Sequence, residues 1–223
     1  MTEPCPFVSR GGLKLAAALD AFALDVTDFV CADLGCNVGG FTDCLLQRGA
    51  QHVFALDTGY GQLAWKLRND PRVSVHERTN AMHCDPCGLR DAACGMRDRN
   101  PHPATRTPQA AQRIDLAVID LAWTRQQYAI PAALRWRPRH IITLIKPHYE
   151  AGDKTDPHGV LAEPDAEVVL HRVLNELPAM GVTVMNHIRS PILGGAGKGR
   201  KGNIEYLAWV KAKISDRRFP MAD

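Results

Sequence analysis

The sequence predicts an α/β domain, a mostly parallel sheet of seven strands with helices on both faces, and three observations point there. Short apolar runs alternate with amphipathic stretches along the chain, the rhythm of strand–helix units whose parallel sheet is covered on both sides. The length, 223 residues, suits a single domain, 1–223, of this kind. A glycine-rich turn at Asp33–Gly40 stands between a strand and a helix, and ligands of such sheets bind outside the carboxyl ends of the strands.

Taken in order, the spacing of Leu15, Ala16, Leu19, Phe22 and Ala23 predicts a helix over Gly11–Leu24 with one buried face. Phe29–Leu34 reads as a buried strand, Phe41–Arg48 as a helix and His52–Asp57 as a second strand. Gln62–Arg68 is helical and Arg72–His76 a third strand. The apolar strands Ile114–Leu121 and His140–Lys146 flank a helical Arg125–Leu134. Glu163–Leu177 is a long amphipathic helix, with Pro164 where the first turn tolerates it. Val182–His187 and Ile204–Val210 complete the strands.

Two stretches break the rhythm. The segment 82–112 is rich in Cys, Arg, Pro and His without a period, an irregular insertion of a length uncommon in compact domains and usually either functional or disordered. Gly194–Gly202 is a glycine-rich basic loop.

Hydrophobic residues at 45% and charged residues at 23% describe an ordinary globular chain. The net charge of +3 is too mild to establish a nucleic-acid partner, so the placement of charge has to carry that argument. No apolar run is long enough to span a bilayer, and the N-terminus lacks a secretory pattern. Seven cysteines, an odd number, then read as reduced thiols of a cytoplasmic protein with no membrane association. Cys84, Cys87 and Cys94, with His83 and His102, have a zinc-like flavour, but no second clean ligand pair completes a site. The reading is unbound cysteines and no metal.

The turn Asp33-Leu-Gly-Cys-Asn-Val-Gly-Gly40 carries the ligand argument. Gly35 allows a sharp turn, and Gly39 and Gly40 allow the backbone close to a ligand. The spacing is not that of a dinucleotide fingerprint, and Asp33 supplies an acid for an ammonium. Together these favour S-adenosylmethionine, with Cys36 and Phe41 as further cofactor-binding candidates. Asp57 ends the second strand, placed to accept hydrogen bonds from both ribose hydroxyls or to cap a turn. Glu77 and Asn80 follow the third strand, where an adenine would be read.

The local sequence then becomes recognisable. Phe7-Val-Ser-Arg-Gly-Gly-Leu-Lys-Leu15, the stretches Gly39–Gly49, Gly59–Trp65 and Glu77-Arg-Thr-Asn80, Lys146-Pro-His-Tyr-Glu-Ala-Gly152 and Gly202-Asn-Ile-Glu-Tyr206 resemble the TlyA (hemolysin A) family. These proteins are similar to the wider FtsJ-like group of RNA ribose 2′-O-methyltransferases. The resemblance spans nearly all of the chain outside 82–112. It implies a Rossmann-like class I S-adenosylmethionine-dependent methyltransferase fold and a Lys-Asp-Lys-Glu tetrad, here Lys14, Asp120, Lys146 and Glu205. It also implies a substrate, ribosomal RNA or a ribosomal subunit. The family's N-terminal S4 domain has no counterpart in residues 1–6, so the chain reads as lacking it.

The chemistry can be argued beside the resemblance. A ribose hydroxyl is a weak acid, so its methylation needs a base and positive charge nearby. A lysine with its pKa lowered by burial and a second lysine can take the proton. Lys146 is read as that base, Asp120 as holding Lys146 and the methyl donor in line, and Lys14 with Glu205 as orienting the ribose. Lys198, Arg200 and Lys201, just before Glu205, suit RNA phosphates. Trp123 suits stacking on a base, or else serves as a core or lid tryptophan. Two alternatives stand beside this reading: a methyltransferase of a small molecule or protein, and a non-catalytic RNA-binding or ribosome-assembly module.

Overall fold

A computed structural model describes residues 5–84, 86, 114–152, 159–195 and 201–213. The cysteines and histidine of the insertion at 87, 94 and 102, and the loop residues Lys198 and Arg200, lie outside the described residues.

The elements run α1 Gly11–Ala21, β1 Val30–Leu34, α2 Gly40–Gln47, β2 His52–Leu56, α3 Trp65–Arg68, β3 Val73–His76 and β4 Leu116–Ile119. They continue with α4 Gln126–Leu134, β5 His140–Ile145, α5 Pro147–Glu150, α6 Glu163–Glu176, a 3-10 turn Leu177–Met180, β6 Val182–Arg189 and β7 Tyr206–Ala212. The sheet order is β3-β2-β1-β4-β5-β7-β6. Every pairing from β3 to β5 is parallel, and β7 runs antiparallel to both neighbours. The order reverses between β1 and β4, and the crevice at that switch point is where open sheets of this kind take their ligands.

The strands begin and end within two residues of their sequence-predicted bounds; β4 stops at Ile119 and leaves Asp120 and Leu121 to the loop. Pro164 sits in the first turn of α6.

Side chains alternate across each strand, and this period of two builds two cores. Val30, Ala32, Leu34, Ile119, Ile141, Ile145, Tyr206 and Ala208 pack with α4 and α6 on one face. Cys31, Leu116, Val118, Ile142, Leu144 and Leu207 pack with α1 and α2 on the other. The count also fixes where the polar residues fall. Asp33 shares the parity of Cys31, Asp120 that of Val118, Lys146 that of Leu144, and Glu205 that of Leu207. All four therefore fall on the α1 side, the last three just beyond the strand ends.

Helix α1 is drawn onto that face by glycine. A Cβ on Gly12 would overlap the Phe7 ring, and one on Gly40 would overlap Ser9 Oγ and approach Gly12 N to 2.8 Å. The Val8 amide donates to Asp43 of α2 at 2.8 Å. These contacts explain the Phe7–Leu15 motif as a docking device, and it is this docking that buries Lys14 on α1. No helix among the described residues is long and apolar enough to cross a membrane.

Candidate active site

The switch point opens into two adjoining cavities of about 200 and about 460 Å³. Gly35, Asn37 and Asp120 line both, so the smaller and larger chambers meet at the ends of β1 and β4. Gly35 has φ +93°, and a Cβ there would meet the Asp120 carbonyl oxygen at 2.6 Å. Glycine is required because the two strand ends close on one another.

The smaller chamber is walled by Lys14, Cys36, Gly40, Phe41, Leu193 and Gly194. The larger is walled by Asp57, Asn80, Met82, Trp123 and neighbours. Gly39 turns the chain at φ +100° into α2, where a Cβ would overlap Leu63 and Leu67. Gly39 and Gly40 thus serve the protein's own packing. Gly40 also lines the smaller chamber.

Two lysine–carboxylate pairs stand at this junction. Lys14 Nζ meets Glu205 Oε2 at 2.5 Å, with the residues 8% and 4% exposed. Lys146 Nζ meets Asp120 Oδ1 at 2.6 Å and donates to the Leu121 carbonyl at 3.1 Å. The strand register accounts for the grouping. Gly35 follows Leu34, which pairs with Ile119, so Gly35 sits beside Asp120. Lys146 follows Ile145, which pairs with Tyr206, so Lys146 sits across from Glu205. Lys14 and Asp120 reach the cavity walls, and Glu205 and Lys146 stand behind them as partners.

The remaining cofactor candidates separate. Asp33 is fully buried on neither cavity wall; its Oδ2 takes the Thr42 amide at 3.0 Å and the Thr42 hydroxyl at 2.6 Å, anchoring the start of α2. Its Oδ1 has no donor among the described residues, which leaves the acid able to take a donor from a ligand. Burial pushes its carboxyl up to about 7, against the Thr42 hydrogen bonds and helped by the charges of Asp120 and Asp57. Three carboxyl groups thus lie around the turn, and a cationic ligand there would favour the ionised form of Asp33.

Asp57 lines the larger chamber, where its Oδ2 accepts the Asn37 amide at 2.8 Å and its Oδ1 the Gly59 amide at 2.7 Å. Each oxygen keeps a lone pair for a further donor. Asn37 reaches Asp57 from a left-handed backbone, φ 49°. Asn80 lines the same chamber, with its Oδ1 on the Met82 amide at 2.9 Å. Glu77 does not line it: its carboxylate is held by Arg68 and by the Gly61 amide at 2.7 Å.

Trp123 is 85% exposed in a left-handed conformation, φ 56°, so it is no core residue. Its ring stacks on Tyr149, centroids 5.0 Å apart, and Lys146 Nζ lies 5.6 Å from the Tyr149 centroid. Tyr149 and His148 were missed in the sequence, although they lie inside the Lys146–Gly152 motif. Burial, reinforced by the charges of Lys146 and then Lys14, holds the His148 imidazole down to about 4. It is therefore neutral at physiological pH and adds no third cation to the lysines. Lys201 is exposed at the end of the basic loop. His83 and Cys84 belong to no group of three or more metal-type side chains among the described residues.

Comparison with known proteins is consistent with this geometry. Residues 7–210 match the family described as FtsJ-like methyltransferase. The 16S/23S rRNA (cytidine-2′-O)-methyltransferase TlyA of Mycobacterium tuberculosis is 40% identical over 213 residues, 93% of this chain and 69% of that protein. Hemolysin A of Brachyspira hyodysenteriae is 35% identical over 211 residues, 91% of this chain and 75% of that one. A solved structure from Streptococcus thermophilus, described as a candidate hemolysin, superposes with a TM-score of 0.80 at 33% identity, covering 96% of this chain and 70% of that one.

Proposed function

The chain belongs to the FtsJ-like methyltransferase family, and from that premise we propose that it methylates a ribose 2′-hydroxyl of ribosomal RNA, working beside that substrate in the cytoplasm. Similarity to an enzyme that modifies cytidine 2′-hydroxyls of 16S and 23S rRNA supports the substrate. S-adenosylmethionine, when bound, supplies a methyl group made electrophilic by its sulfonium.

The residues present fit that group. Asp33 keeps an unpartnered buried oxygen, Asp57 has spare acceptor capacity at the larger chamber, and three acids surround the Gly35–Asn37 turn. Asp33 acts through the turn and its charge, Asp57 holds the ribose of the donor, and Asn80 faces the larger chamber with it. Cys36 and Phe41 close the methionine side in the smaller one.

Lys146 takes the 2′-hydroxyl proton. Asp120 holds Lys146 at the ends of β4 and β5, its Oδ1 2.6 Å from Nζ. Lys14 and Glu205 fix the acceptor ribose, since alignment decides the rate of an in-line displacement. Trp123 offers an exposed aromatic face to a base, and Lys198, Arg200 and Lys201 offer charge to phosphates.

One observation carries this reading: each lysine–carboxylate pair sets one member on the cavity walls, Lys14 on the smaller and Asp120 on both. The test is incubation with labelled S-adenosylmethionine and deproteinised ribosomal RNA, with Lys146→Ala as control. Ribose-methylated RNA from the wild type alone is the expected product. Cofactor binding with no RNA product would overturn the reading.

A further inference from the structure

Gly194 begins the basic loop and lies on the wall of the smaller cavity. Its backbone is outside the left-handed region, unlike that of Gly195, φ +68°, so conformation does not demand a glycine there. Space does. A Cβ built on Gly194 would overlap Oε1, Cδ and Oε2 of Glu205, and these are the three nearest atoms it would meet. The Glu205 carboxylate is thus bounded by bare backbone on one side while it holds Lys14 Nζ at 2.5 Å.

That backbone is itself fastened. Gly194 and Asn203 exchange amide hydrogen bonds of 2.9 and 2.8 Å, and the Ser190 amide donates to the Glu205 carbonyl at 2.8 Å. The Asn203 side chain ties the pair to the neighbouring segment, accepting from the Leu161 amide at 2.9 Å and donating to the Gly159 carbonyl at 3.0 Å. The loop base is a clamp closed around one carboxylate.

We propose that Gly194 is a positioning residue for methyl transfer: its bare backbone sets where the Glu205 carboxylate stands, and through Glu205 where Lys14 presents its charge to the acceptor ribose. The proposal rests on the assignment of Lys14 and Glu205 as the pair that orients the ribose. Displacing a carboxylate that aligns the acceptor lowers turnover more than it weakens donor binding, because Asp57 and Asn80 of the donor site line the other chamber.

The experiment compares methyl transfer to deproteinised ribosomal RNA by the wild type, Gly194→Ala, Gly195→Ala, Glu205→Asp and the double variant Gly194→Ala/Glu205→Asp. Melting temperature and S-adenosylmethionine affinity are measured alongside. Gly194→Ala is expected to lose on the order of 10–100-fold in kcat, as misalignment does, with cofactor Kd within about twofold of wild type. Gly195→Ala strains the backbone on the same cavity wall, but its Cβ meets nothing within 4 Å, so its loss in kcat is expected to be clearly smaller. Glu205→Asp shortens the carboxylate by one methylene and makes room, so the double variant is expected to be faster than Gly194→Ala.

Wild-type kcat in Gly194→Ala, equal losses at 194 and 195, or simply additive losses in the double variant would overturn the proposal. Should Gly194→Ala melt below assay temperature, the melting curve decides: recovery of Tm in the double variant supports the contact, and no recovery overturns it. Wild-type kcat in Glu205→Gln would instead overturn the underlying assignment of Glu205, a distinguishable result.

Discussion

The two lysine–carboxylate pairs have the same chemistry and different surroundings. Lys14–Glu205 joins α1 to the approach of β7 across 191 positions of sequence and is almost wholly buried. Lys146–Asp120 joins the ends of neighbouring strands, its aspartate side chain is 25% exposed, and that aspartate lines both cavities. A buried pair is costly to break and difficult to rearrange. A pair at the mouth of two chambers can exchange partners with a ligand. The difference suggests that the first pair holds geometry and the second handles the proton.

Removing either partner of the second pair should therefore cost rate above all. Lys146→Ala is expected to lose on the order of 10²–10⁴-fold in kcat, the usual worth of a positioned base, with the melting temperature little changed. Single-turnover kinetics checks this. Removing one partner of the first pair should cost stability as well. Glu205→Gln leaves the buried Lys14 ammonium uncompensated, at about 3–5 kcal/mol, measured by denaturant unfolding; Asp120→Asn should cost clearly less. An equal loss in the two variants would erase the comparison.

The parity of strand residues made much of this site legible. Asp33, Asp120, Lys146 and Glu205 each fall on the odd or even count that faces α1, and the apolar runs around them show that count directly. What hid was whatever depends on a partner distant in sequence. Nothing near Glu77 announces that Arg68 will hold it. Nothing in the glycine turn tells that Gly40 makes room for Ser9. Asp33 looked like a ligand-facing acid because it precedes the turn, yet inside a fully buried strand its side chain meets Thr42 first.

Smaller effects sharpen the contrast between the cavity mouth and its walls. Trp123→Ala removes an exposed stacking face worth about 1–3 kcal/mol per base, so KM for RNA should rise. Filter binding with single-stranded RNA checks it. Asp33 adds a pH dependence. Its folded pKa is raised to about 7, so its contribution to stability is full below about pH 4 and is lost as pH climbs through about 7. Asp33→Asn, which cannot ionise, should gain melting temperature relative to the wild type over that range and then keep the gain. Parallel melting curves from pH 4 to 8 report it.

The central claim, that Lys146 handles the proton and Lys14 only holds the acceptor, is tested most directly by two arginine substitutions. Arginine keeps the charge and cannot give up its proton. Single-turnover methyl transfer at saturating S-adenosylmethionine and RNA should fall in Lys146→Arg to the level of Lys146→Ala, while Lys14→Arg stays within about tenfold of wild type. Lys146→Arg turning over at the wild-type rate, or the two variants losing rate equally, would contradict it.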